Sequence, residues 1–209
     1  MISTEDEECA RLRLNPGERQ GDQLPVTNVS WFDAMEWCSR LNSYLNACIA
    51  SEVRLVSLPS ESQWEYACRA GTSTPFFFGD TIDTLWAAYN GEFAFGCGRK
   101  KPPIRVAWES GSSGLVNSWG LSDMHGNLWE WCLDWWHPSP TNAPMDGGAF
   151  NIKAQNVGSI YSHQKVIRGG SFFYGPIELR SAKRSACSPD NKGRTVGFRI
   201  CCPDLAQGL

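Results

Sequence analysis

Residues 166–199 read VIRGGSFFYGPIELRSAKRSACSPDNKGRTVGFR. Arginines at 168, 180, 184 and 199 and glycines at 169, 170 and 197 punctuate blocks of side chains that share no chemistry. The glycines suit turns of positive φ or places where two stretches of chain nearly touch. Pro189 and the spaced arginines would hold a long irregular segment in place. The pattern is that of a fixed frame around an exchangeable surface, so 166–199 is the candidate ligand-binding segment.

Just upstream lies G-N-L-W-E-W, residues 126–131. Strand alternation places Trp129 and Trp131 on one face and Glu130 on the other, where a buried carboxylate needs a partner. An arginine fork satisfies a carboxylate through two hydrogen bonds. The expectation is that Glu130 or Asp134 ties the tryptophan block to the C-terminal segment through Arg168, Arg180, Arg184 or Arg199.

At 209 residues and 42% hydrophobic, the chain can bury one core. A polar segment, 1–24, precedes a single domain over 25–203, and a Pro-, Asn- and Gly-rich stretch, 137–164, reads as a loop insertion. The net charge is −3 with Lys and Arg scattered, which argues against nucleic acid as a partner. No run approaches the ~20 apolar residues of a membrane span, and the first residues lack a signal peptide's apolar core. The chain as it stands reads as cytoplasmic; surface display or secretion would require a leader ahead of it. Nine cysteines without a C-x-x-C pairing argue against zinc and for free, half-buried thiols.

Two helices are legible. One starts at Ser30, where S-W-F-D makes a capping box and Ala34, Trp37, Cys38, Leu41 and Leu45 share a face. The other follows Pro59 and Ser60, with Gln63 closing the box, Trp64, Ala67 and Cys68 on one side and Gly71 as the stop. Brief strands are expected at 54–58, 104–108, 128–133, 165–168 and 195–201. Helices first and short strands and loops after them give an α+β class with short antiparallel strands.

The blocks PVTNVSWFDAMEWCSRLN (25–42), RLVSLPSESQWEYACRAG (54–71), GLSDMHGNLWEWCLDWW (120–136) and the frame of 166–199 together resemble the formylglycine-generating enzyme, or sulfatase-modifying factor, family. The resemblance implies a variant of the C-type-lectin-like fold: two short helices, short strands and much irregular loop. In that family's catalysts two cysteines after Gly-Gly-Ser bind copper. Here the matching positions are Tyr174 and Leu179, Cys187 stands alone further on, and a single thiol does not make a Cu(I) site. A nonheme iron branch draws ligands from histidines, but this chain has only His125, His137 and His163, and His125 in D-M-H-G-N reads as a hydrogen-bonded structural residue. The resemblance allows one structural calcium, held by Asp123 and carbonyls near Gly126, against the alternative that Asp123 caps a turn. A second calcium site would fall at Ala88, which offers no side-chain oxygen. No other cofactor is implied.

The frame also resembles the variable proteins of diversity-generating retroelements, in which adenine-directed mutagenesis rewrites chosen codons. The corresponding slots are Phe173, Tyr174, Gly175, Ser185, Ala186, Cys187, Ser188, Asn191, Gly193, Arg194 and Thr195. An AAC codon altered at its adenines never yields Lys, Glu, Gln, Met or Trp, and none of these stands in a slot. Phe173 and Tyr174 are rigid aromatic anchors, and small Ser, Gly and Thr leave room for a partner. The expectation is a non-catalytic variable protein that binds a protein or other macromolecule. A copper or nonheme iron oxidoreductase of the family, or its inactive paralogue, is the second reading.

Overall fold

A computed structural model describes residues 23–48, 55–152 and 163–202. The polar start at 1–22, Arg54 of the first expected strand and residues 153–162 of the expected insertion lie outside them.

Helix α1 spans Trp31–Cys48. Its capping box is closed by Asp33, whose carboxylate accepts from the Ser30 hydroxyl (2.6 Å) and backbone N–H (2.8 Å), while Asp33 N–H donates to the Ser30 oxygen at 3.1 Å. Ala34 and Cys38 are buried, with Trp37, Leu41 and Leu45 half-buried beside them. At 18 residues α1 is not the short helix expected, because neither Gly nor Pro interrupts it. Helix α2, Glu61–Arg69, has Ser60 and Gln63 as a second capping box and ends on Ala70 in the left-handed conformation, just before Gly71.

Strands β1 (Trp129–Trp135), β2 (Lys165–Arg168), β3 (Arg184–Cys187) and β4 (Val196–Gly197) form one sheet in the order β3-β2-β1-β4. The β1–β2 and β2–β3 pairs are antiparallel, but β4 runs parallel to β1. The sheet is therefore mixed rather than wholly antiparallel. The stretch expected at 54–58 contributes one bridge, Ser57 to Cys201, and of 195–201 only Val196 and Gly197 join the ladder. Residues 104–108 form no strand: Pro102 and Pro103 remove two donors ahead of them, and Trp108 N–H goes to the Asn127 side chain at 2.9 Å. Strand β3 was not expected, because Arg-Ser-Ala-Cys lacks β-branched or aromatic residues, and its place comes from pairing with β2.

The helices cover opposite faces of the sheet. Ala34 and Cys38 of α1 pack with Trp129, Trp131, Ile167 and Val196, while Trp64 and Cys68 of α2 pack with Cys132 and Val166. The alternation along β1 thus falls as expected, with both tryptophans toward α1 and Glu130 toward α2. Further clusters, Phe76, Ile82, Ala87, Tyr89 and Leu179 in one and Ala88, Leu128 and Phe172 in the other, anchor the loops that lead to the C-terminal segment. Within 137–152 there is no helix or strand, yet the stretch is tethered: Phe150 bonds to Asp134 and to the Trp135 N–H, and Gly147 accepts from Ser60.

Candidate ligand-binding surface

Three arginines lock the C-terminal segment to α2 and β1. Arg199 makes the fork: Nε to Glu130 Oε2 at 2.5 Å and an η nitrogen to Oε1 at 2.7 Å. Trp64 Nε1 donates to the same carboxylate at 2.6 Å. Arg184 grips both oxygens of Glu61 at 2.7 Å each. Arg168, fully buried, pairs with Glu65 and donates to the carbonyls of Ser181 (2.9 Å) and Lys183. Buried charges are tolerable only when paired and hydrogen-bonded in this way.

Two expectations need correction. Arg180 grips no carboxylate; its Nε donates to the Ile177 carbonyl at 3.0 Å. Asp134 takes no arginine either, since its oxygens accept the N–H groups of Glu61 (2.7 Å) and Phe150 (2.9 Å), fixing the start of α2. Glu61 and Glu65 were missed as partners. The signal was available: they sit one turn apart on α2, and an acidic pair on a helix next to an Arg-rich segment is a candidate clamp.

The loop after β3 is seated on the first turn of α1. Trp31 N–H donates to the Pro189 carbonyl at 2.9 Å, Lys192 pairs with Asp33 at 2.9 Å, and Asn28 N–H reaches the Gly193 carbonyl at 3.2 Å. Thr195, half-buried, accepts the Trp129 N–H on its carbonyl at 2.9 Å. The loop after β2 is held at its root, where Phe172 N–H donates to the Asn127 carbonyl and its ring enters the core.

On this frame Phe173 is 57% exposed and Tyr174 42%. Their rings meet edge to face at 5.7 Å, Tyr174 rests on Trp129 at 5.9 Å, and the Arg194 guanidinium lies 6.0 Å from the Phe173 ring centre. The fold thus gathers Phe173, Tyr174 and Arg194 into one outward cluster. Ser188 and Asn191 are exposed on the α1-seated loop, and Gly175, Gly193, Ser185 and Ala186 are half-covered. Cys187 turns from that role: it packs partly against the α1-side core, and burial pushes its thiol up.

Of the positions matching a copper pair, Tyr174 points out while Leu179 is fully buried against Phe76 and Tyr89. His125 is structural: Nε2 accepts the Phe77 N–H at 3.0 Å, which leaves Nδ1 to donate to the Leu179 carbonyl at 2.7 Å, and burial pushes its pKa down to about 4. Asp123 sits at φ 55° and accepts the Gly111 N–H on Oδ2 at 2.7 Å. It lines a cavity of about 210 Å³ with Asn127, Glu130 and Arg199. Asn127 Oδ1 is taken by Trp108, Glu130 by Arg199 and Trp64, and the guanidinium faces the same space. That donor set does not fit a calcium cage, and Asp123 serves the turn.

The sulfatase-modifying factor enzyme 1-like domain matches residues 2–202. The chain belongs to this family. Among curated members, the formylglycine-generating enzyme of Mus musculus is 30% identical over 194 residues, covering 87% of this chain and 45% of its own length. The chain therefore spans about half of that relative. Among solved structures, Treponema denticola variable protein 1 superposes with a TM-score of 0.68 at 22% identity, over 97% of this chain and 82% of the other. PvdO from Pseudomonas aeruginosa gives 0.69 at 27% identity, over 87% and 63%. The fold is the α+β, C-type-lectin-like arrangement of the sulfatase-modifying factor domain, with its two helices and small curled sheet.

Among the described residues no helix is long and apolar enough to cross a membrane, and no three His, Cys, Asp or Glu side chains gather where they could hold a metal ion.

Proposed function

We propose that this domain is a non-catalytic variable protein whose 166–199 segment binds a protein ligand, with the tips at Phe173, Tyr174 and Arg194 as its anchors. One observation carries the reading: these side chains stand in solvent while their backbone is fixed by buried ion pairs and core contacts. Rigid exposed aromatics beside an arginine are the usual energetic centres of protein interfaces, since little freedom remains to be lost on binding. The likeness in fold to a variable protein supports the same reading. Replacing Phe173, Tyr174, Arg194 and Thr195 together by Ala should abolish binding to any partner selected on the intact chain. Thermal stability should fall little, because exposed substitutions cost about 0.5 kcal/mol or less each. Strong destabilisation would mean the segment is core. The neighbouring DNA is the companion observation: a reverse transcriptase and a template copy differing only at adenines are expected.

The identity to a formylglycine-generating enzyme favours an oxidase as the second reading. Incubation with copper and a cysteine-containing peptide decides it, and turnover would displace the binding proposal.

A further inference from the structure

The exposed cluster does not end with the C-terminal segment. Asn90 N–H donates to the Tyr174 carbonyl at 2.9 Å, and a Cβ on Gly175 would stand 3.2 Å from Phe93 Cδ2. The Phe93 ring therefore lies against the Gly175 backbone, and it is 57% exposed. Beyond it, Lys101 N–H donates to the Gly91 carbonyl at 2.7 Å, which brings the 99–105 stretch alongside. Residues 90–106 hold four cations, Arg99, Lys100, Lys101 and Arg105, against one acid, Glu92, in a chain whose net charge is −3. Lys101 is paired with Asp83 at 3.5 Å. Arg99, Lys100 and Arg105 are exposed, and no salt bridge joins them among the described residues.

A strip of three rings, Phe93, Tyr174 and Phe173, is thus flanked by a basic rim on one side and by Arg194 on the other. Fixed rim charges steer and select a partner of opposite sign, while the rings supply the apolar contact. We infer that the binding surface extends through Phe93 onto this rim, and that it takes a protein partner presenting acidic residues around an apolar or aromatic projection. Nucleic acid fits less well, because the acids elsewhere on the chain outweigh the cations and repel a phosphate backbone. The inference rests on the proposed binding role of 166–199.

The test uses the whole chain and a phage-displayed library of random dodecapeptides panned on it. Enriched peptides should carry a surplus of Asp and Glu beside aromatic or aliphatic residues. Their affinity should fall at least about tenfold in F93A and in R99E/K100E/R105E, and should weaken with added salt. The charge reversal changes only exposed side chains, so it remains informative even where F93A perturbs the loop. No enrichment, enrichment without acidic surplus, wild-type affinity in either variant, or displacement of the peptides by a single-stranded oligonucleotide would each overturn the inference. F173A/Y174A/R194A separates the two proposals. Loss of binding in that variant alone sinks the extension and leaves the binding role of 166–199 standing. Loss in F93A and the charge reversal but not in that variant sinks the binding role itself.

Discussion

Glu130 shows how much one side chain fixes here. Its carboxylate accepts the Arg199 fork and the Trp64 N–H, so it joins β1, α2 and the end of the C-terminal segment at one point. Removing one member leaves a charge without a partner, and a buried uncompensated charge costs about 3–5 kcal/mol. E130A should lose that much in urea unfolding, and R199K should recover little of it, since an ammonium cannot form the fork. His125 makes a second case, with the opposite dependence on conditions. Burial holds its pKa near 4, below the ordinary 6.5, so the folded state binds fewer protons than the unfolded chain. Its contribution is complete above about pH 6.5 and is lost as pH falls toward 4, with a total of ~3 kcal/mol. Protonation also removes the acceptor for the Phe77 N–H. Unfolding midpoints measured from pH 7.5 to 5.5 should therefore decline, and the His125 ring resonances should not titrate above about pH 5. A ring titrating near its ordinary pKa would show that it is not sealed as described.

The elements divide into frame and tips, and glycines separate the two experimentally. A Cβ on Gly197, in β4, would stand 2.4 Å from the Val26 carbonyl oxygen and 3.0 Å from Leu128 Cδ1, so backbone would have to move. Gly193, in the loop seated on α1, would meet only the Asn191 side chain, at 3.1 Å, which can swing aside. G197A should therefore cost about 1–3 kcal/mol, as overpacking does. G193A should stay within about 0.5 kcal/mol, and calorimetry on the pair reads the contrast directly. The same division explains what the chain disclosed in advance. Both capping boxes, the alternation of Trp129, Glu130 and Trp131, and the arginine fork are local or follow from a buried charge needing a partner. Strand β3 was hidden because Ser185 and Ala186 carry no preference of their own and take their register from Ile167 and Val166. Phe93 was hidden because its place beside Gly175 is a contact between distant loops, and Glu61 and Glu65 resembled ordinary solvated helix charges.

For the molecule as a whole, the cysteines report how the core holds together. All seven within the described residues are free thiols, so no covalent link staples the fold and its stability rests on the two helix-covered faces of the sheet. The thiolate is the reactive form, and burial suppresses it. Burial pushes Cys68 up to about 12 and Cys132 well above the ordinary thiol range, and both lie in the α2-side cluster. Cys97 and Cys202 are exposed. At pH 8 an alkylating reagent should modify Cys97 and Cys202 rapidly. Cys68 and Cys132 should react together and only through global opening, with a urea dependence equal to that of full unfolding. Peptide mapping by mass spectrometry resolves the order. Early labelling of Cys132 with Cys68 still protected would mean that β1 can part from α2 while the helix stays seated, and the arginine frame would then not hold the candidate surface as one rigid unit.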